Sequence, residues 1–257
     1  MITREEVERL GRAAAGGIDQ RGNYTWCRVL DSFEMYVASN DKSVSPHLIN
    51  DGFWESWITT WVMNNVGAGT VFFDIGANSG YYSLLAYQLG ALVIAYEPNP
   101  IYAQMMRKTR ERLGLDSGFQ INEFALSNYE GVAQLHIPNE LHGSASLNDI
   151  PDGYAFSNAY VDVKRLDNRV PGTGRQVLKI DAEGEEERIL AGAEGFLNQA
   201  VHKTILMEYT PGAYSEGFEE KLFREWEVSR VTYDGGEESI TPDWLRSLDD
   251  WAMIVLR

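Results

Sequence analysis

Apolar positions along the chain change period more than once, and those changes divide it. Thr3-x-x-Glu6 has the form of a capping box with Ile2 and Val7 as a hydrophobic staple, so a short helix is predicted to about Ala15, stopped at Gly16-Gly17. Cys27 to Leu30 and Glu34 to Ala38 predict two short strands turning at Asp31-Ser32. Phe53, Trp54, Trp57, Ile58, Trp61 and Val62 recur at helical spacing, which predicts a helix packed on the core rather than an aromatic ligand box. From Thr70 the pattern becomes strand, helix, strand. Val71 to Ile75, Ala91 to Tyr96, Phe119 to Phe124, Val177 to Asp181 and Thr204 to Glu208 predict strands, with helices at Tyr82 to Leu89, Tyr102 to Leu113 and Glu185 to Leu197. No helix follows the third of these strands. Val132 to Ile137 and Tyr160 to Lys164 alternate instead like an antiparallel pair, around a Pro/Asn/Gly/Ser loop from Pro138 to Ala159. A helix from Glu219 to Trp226, a strand from Val228 to Tyr233, a helix start at Thr241-Pro242 and a strand from Ala252 to Leu256 close the pattern.

Alternating β and α elements predict an α/β, Rossmann-like fold: a mostly parallel seven-stranded sheet with helices on both faces and an inserted β-hairpin. Residues 1–50 are expected to form an N-terminal extension, a helix and short hairpin, before a main domain at 51–257. In such sheets ligands sit beyond the carboxyl ends of the strands. Four of those ends carry acids: Asp74, Glu97, Asp181 and Glu208.

Composition narrows the function. The 22 Lys and Arg against 38 Asp and Glu give a net charge of −16, without the clustered cations that neutralise phosphates, which argues against nucleic acid as the acceptor. The densest basic stretch, Arg107 to Arg112, is explained as one solvated helix face. A single cysteine, Cys27, excludes a disulfide framework, a cysteine zinc site and a radical mechanism on an iron–sulfur cluster. No apolar run approaches the ~18 residues of a membrane span, and the first residues lack a signal-peptide block, so the expected compartment is the cytoplasm.

The chemistry is concentrated in two motifs. Asp74-Ile75-Gly76-Ala77-Asn78-Ser79-Gly80-Tyr81-Tyr82 joins a strand to a helix through glycines that let the backbone approach a ligand. Glu97-Pro98 ends the next strand, roughly 20 residues on, where a carboxylate can accept both ribose hydroxyls. The dinucleotide fingerprint G-x-G-x-x-G and the phosphate loop are both absent, and no Lys or Arg lies between Thr70 and Met106. An adenosine cofactor without phosphates is therefore expected, S-adenosylmethionine, and a nicotinamide-dependent oxidoreductase is the weaker alternative. The second motif is Leu178-Lys179-Ile180-Asp181-Ala182-Glu183-Gly184, whose strand period places Lys179 and Asp181 on one face. The acids Glu185 to Glu187 that follow are explained by the helix dipole.

Together with Ala125-Leu126-Ser127, these motifs resemble the FkbM family of methyltransferases over about Asp51 to Glu208. The resemblance implies the class I methyltransferase fold and O-methylation of a hydroxyl on a small molecule or glycan-type acceptor. It assigns Asp74, Gly76, Ala77, Asn78, Gly80, Tyr81, Glu97, Pro98, Ala125 and Asp181 to the cofactor. The Asn/Asp-Pro-Pro-Tyr/Phe motif of amino-methyltransferases is absent; Tyr209-Thr210-Pro211-Gly212 only echoes it. Glu185 to Glu187 are more acidic than the family's usual continuation, which leaves the acceptor less defined. An alcohol needs a base before it attacks, and Asp181, Glu183, Glu208 and His142 are the candidates, with His136 more readily structural. Mg²⁺ held by these carboxylates is the less favoured alternative. Methylation of a nucleic acid or protein is the alternative acceptor reading.

Overall fold

A computed structural model of the chain describes residues 1–139, 142–148, 155–168, 174–199 and 202–257. Thr3 caps α1 (Arg4–Ala14) by a reciprocal capping box with Glu6, and Val7 is buried against the core that Ile2 also touches. Next come β1 (Gly17–Arg21), β2 (Tyr24–Val29) and β3 (Phe33–Ala38), an antiparallel sheet in that order. Two helices, α2 (Ser45–Asn50) and α3 (Ser56–Asn65), lead to the main sheet.

That sheet is built from β4 (Thr70–Ile75), α4 (Tyr81–Gln88), β5 (Leu92–Tyr96), α5 (Pro100–Leu113) and β6 (Phe119–Asn122). The chain then leaves it for β7 (Ala125–Leu126), β8 (Gly131–Pro138) and β9 (Phe156–Lys164), a separate small sheet ordered β7-β9-β8 with β8 and β9 antiparallel. It returns through β10 (Arg175–Ile180), α6 (Glu186–Ala191), α7 (Glu194–Leu197), β11 (Lys203–Tyr209) and α8 (Phe218–Glu225). It closes with β12 (Val228–Val231), β13 (Glu237–Ser239), α9 (Pro242–Arg246) and β14 (Ala252–Leu256).

The strand order is β13-β12-β14-β11-β10-β4-β5-β6, with β11 through β6 parallel and β14 reversed between β11 and β12. This is the expected Rossmann-like α/β architecture, with eight strands instead of seven. The additional strand is β13, short and exposed, held by pairing Glu237 to Ser239 against β12. Its polar sequence lacks the apolar alternation by which strands are recognised. The expected helix from Glu185 to Leu197 is also broken in two. A Cβ on Gly192 would stand 1.9 Å from the carbonyl oxygen of Ser127, and Gly192 in turn accepts from the N–H of Asp167. A close crossing of two backbones, invisible to local pattern, divides the helix there.

Strand period splits the sheet into two cores. Phe72, Val177, Leu206 and Val255 face the core shared with α1, β2, β3, α3 and α4, whereas Phe73, Leu178, Ile205 and Ile254 face the core under α6 to α9. Residues from before position 50, including Cys27, Met35 and Val37, belong to the first core. Among the described residues no helix is long and apolar enough to cross a membrane.

Candidate active site

The same period that sorts the core residues places the charged ones. Asp74 shares the parity of Phe72, Lys179 and Asp181 that of Val177, and Glu208 that of Leu206, so all four point toward α3 and α4 at the carboxyl edge. Lys179 pairs with Asp74 in the β4–β10 register, and its Nζ donates to Asp181 Oδ2 at 2.8 Å. The Lys179 side chain is 2% exposed. Burial alone would lower its pKa, but the carboxylates of Asp181 and Asp74, then Glu55, hold the ammonium well above its ordinary value. Asp74 is fully buried, accepts from Ser83 Oγ at 2.6 Å, and is pushed upward by burial against the opposing pull of Lys179.

The glycine loop is fixed by one close approach. Gly76 has φ +78°, and a Cβ there would stand 1.8 Å from the carbonyl oxygen of Asp181. The first motif therefore lies directly on the second. Asn78 also adopts a left-handed conformation, and its N–H donates to Glu97 Oε2 at 2.6 Å, while Asn99 N–H donates to Oε1 at 2.7 Å. Each Glu97 oxygen retains a lone pair for a further donor. Burial raises Glu97 to about 7, although the two backbone N–H groups work to lower it.

Two cavities meet at this edge. The smaller, about 570 Å³, has Glu97, Pro98 and Ala125 in its wall together with apolar Ile75, Phe124, Leu126, Leu147 and Ile189. Among the described residues lining it there is no Lys or Arg. A buried carboxylate beside an apolar slot, with no cation for a phosphate, suits an adenosine moiety and not a dinucleotide. The larger cavity, about 1670 Å³, is lined by Ala77, Tyr81, Glu55, Lys179 and Glu208, with an aromatic wall of Phe53, Trp54, Trp57, Tyr233 and Trp251. Gly76, Asn78, Gly143, Asp181 and Glu183 border both.

Of the residues expected in the site, Asp74 and Gly80 line neither cavity. Asp74 lies beneath the floor as the partner of Lys179 and Ser83, and Gly80 caps α4 at φ +89° against Met106. Glu183, itself left-handed at φ +53°, is raised to about 8 by burial and then by Asp181 and Glu186, against Lys179. Glu208 is also raised, by burial and then by Asp181 and Glu183. The backbone of His142 lies in the short turn His142–Ser144, whose Gly143 and Ser144 border the larger cavity; its side chain is outside the described residues. Parts of the Pro138 to Ala159 loop, residues 140–141 and 149–154, are likewise outside them. His136 lines neither cavity and packs edge-on against Phe156.

Glu185 to Glu187 do more than meet a helix dipole. Glu186 accepts from the N–H groups of Ala182 and Gly184 and from Tyr214 Oη, which shapes the turn carrying Glu183. Glu185 accepts from Ser127 Oγ, and Glu187 from Ser215. The aromatic stripe divides as well: Ile58, Trp61 and Val62 are core, but Phe53, Trp54 and Trp57 face the larger cavity.

Two residues here have no sequence signature. Glu55 precedes α3 in a left-handed conformation, φ +37°, and accepts from Tyr82 Oη at 2.8 Å. Burial and then Asp181 raise it to about 7, against Lys179. A non-glycine residue at positive φ immediately before a helix shows only once the backbone is known. His47, on α2, is 3.0 Å from Asp51 and packs on Trp54, with ring centroids 5.2 Å apart. It reaches the cavity because α2 lies beside β2 and β3, a placement that no local pattern encodes.

A Rossmann-like sheet whose glycine loop borders two adjoining cavities, the smaller one walled by the buried carboxylate Glu97, is the arrangement of an S-adenosylmethionine-dependent methyltransferase. The methyltransferase FkbM domain model matches residues 74–240, and the chain belongs to that family. No curated protein matches it significantly. Among solved structures it is similar to precorrin-6y C5,15-methyltransferase from Geobacter metallireducens, at 14% identity and TM-score 0.41, over 85% of this chain and 95% of that one. It is also similar to the Pyrococcus abyssi tRNA (uracil-54, C5)-methyltransferase in complex with S-adenosyl-L-homocysteine, at 11% identity and TM-score 0.46 over 92% of this chain. The M. jannaschii tRNA m1G37 methyltransferase is similar at 14% identity and TM-score 0.44 over 93%. The chain spans 44% and 57%, respectively, of those two tRNA enzymes.

Proposed function

We propose that the protein methylates a hydroxyl oxygen of a small-molecule or glycan-type acceptor held in the larger cavity. The observation that carries this reading is the aromatic and carboxylate lining of that cavity, which joins the cofactor pocket at Asp181 and Glu183. Aromatic faces suit the apolar faces of sugar rings and other cyclic polyols, and carboxylates accept from hydroxyls. The same carboxylates disfavour a phosphate backbone.

Glu97 would receive the ribose hydroxyls, and the backbone of Gly76 to Asn78 would lie along the rest of the cofactor. S-adenosylmethionine, when bound, supplies an electrophilic methyl group on a sulfonium. Asp181, held in place by Lys179, would fix the acceptor hydroxyl at the junction of the two cavities. As the hydroxyl oxygen gains the methyl group it releases its proton, and Glu183 or Glu208 would take it. A base whose pKa has been raised toward the working pH accepts that proton most effectively. The test is transfer from methyl-labelled S-adenosylmethionine to a panel of polyols, glycosides, RNA and protein, with the methylated atom located by mass spectrometry. Label on a hydroxyl oxygen is expected. Label confined to RNA, protein or a nitrogen or carbon atom would overturn the reading.

A further inference from the structure

The larger cavity holds more carboxyl groups than its own cations can balance. Glu55, Asp181, Glu183 and Glu208 line it, and Lys179 is the one Lys or Arg among the described lining residues. That ammonium is already committed to Asp181 and Asp74. The same cavity is lined by the aromatic wall. Trp57 lies 5.7 Å from Tyr233 and is stacked on Trp251 at 6.2 Å, centroid to centroid. Ring faces and carboxylates share one preference, for organic cations. The chain already uses it here: the Arg4 guanidinium stands 3.9 Å from the Tyr233 centroid, and Lys179 Nζ 4.9 Å from that of Tyr82. A bound cofactor sulfonium would bring one positive charge to the junction, against three further carboxyl groups, Glu55, Glu183 and Glu208, so that two remain without a counter-charge.

We infer that the acceptor is itself a cation: a hydroxyl-bearing ammonium compound whose charged group lies between the aromatic wall and the surplus carboxylates. This rests on the larger cavity being the acceptor site. The competing arrangement is that protons, not a ligand, relieve the repulsion, so that a neutral polyol is accepted equally well.

Two probes of like shape separate these: a glucosamine tetrasaccharide made permanently cationic by N,N,N-trimethylation, and its neutral N-acetyl counterpart. Binding to the full chain is measured by titration calorimetry with S-adenosylhomocysteine saturating, so that no sulfonium charge is present. The cationic probe should bind at least tenfold more tightly, with a preference that shrinks as salt is raised. Glu55→Gln and Trp57→Leu should each reduce that preference several-fold without changing S-adenosylhomocysteine affinity. If either variant fails to fold, the comparison of probes on the unaltered protein still decides. Equal binding, preference for the neutral probe, or binding of neither overturns the inference. Labelled transfer to the unmodified glucosamine tetrasaccharide keeps the two readings apart. Label on nitrogen would remove the hydroxyl reading and leave the charge inference standing. Label on hydroxyls of the neutral probe, with no cation preference in binding, would do the reverse.

Discussion

Lys179 Nζ lies 2.8 Å from Asp181 Oδ2, on a strand where its neighbours Val177, Leu178 and Ile180 are buried and apolar. One ammonium thus serves a fully buried carboxylate, Asp74, and one that borders both cavities. Removing one member of a buried ion pair costs about 3–5 kcal/mol because the other is left uncompensated. Lys179→Met should therefore lower the melting temperature sharply in a thermal unfolding scan. Asp181→Asn should not, because Lys179 keeps Asp74. That variant should instead lower kcat by about a hundredfold or more, in the range of a lost positioned polar group. Wild-type turnover in Asp181→Asn would remove Asp181 from the chemistry.

Gly76 makes a separate prediction. A methyl group there would meet the Asp181 carbonyl oxygen at 1.8 Å, and φ +78° strains any side chain. Backbone must move, so Gly76→Ala should abolish cofactor binding in calorimetry and lower the melting temperature. Ala77→Gly, one residue on, should do neither. Intact binding in Gly76→Ala would mean that the crossing of the two motifs is dispensable.

Glu97 is tested through affinity. Hydrogen bonds to a charged acceptor contribute about 1.5–3 kcal/mol each, so loss of the pair with ribose should weaken binding by more than tenfold. Glu97→Ala should show this for S-adenosylmethionine and S-adenosylhomocysteine alike. Unchanged affinity would refute the ribose assignment.

The same residue gives a pH dependence with a definite sign. Its folded value of about 7 lies above the ordinary 4.5, so between them the folded state holds the extra proton. Its contribution to stability is complete below about 4.5 and is lost as pH rises through 7. Ribose hydroxyls favour the ionised form, so cofactor affinity should rise over the same interval. Glu97→Gln should melt with a smaller loss between pH 5 and 8 and bind with a flatter pH profile. Glu55 and Glu183 titrate nearby, so the difference between variant and unaltered protein is the quantity to read.

Charge alone predicts behaviour toward polyanions. With a net charge of −16 the protein should pass through a heparin column at moderate salt. Tight retention released by salt would favour a nucleic-acid acceptor over the hydroxyl compound proposed above.

Much of this molecule is written in local pattern. Strand period put Lys179 and Asp181 on one face, and Gly76, Glu97 and Asp181 were legible from motif and spacing because each is set by its own strand end. The capping box at Thr3 and the Thr241 cap of α9 formed as their short-range chemistry dictates. Tertiary structure decided what depends on elements distant in sequence. It alone brought Glu55 under Tyr82, set Tyr233 and Trp251 beside Trp57, and divided α6 from α7 where Ser127 crosses Gly192. It also set the buried Asp74 opposite Lys179, through the register of β4 with β10. Glu97 and Ala125 of the smaller cavity lie beyond the ends of the neighbouring strands β5 and β6, and such positions can be read from the chain. The larger cavity is walled by residues from α1 to α3, the 142–144 turn and the carboxyl-terminal part of the chain, and only packing brings those together.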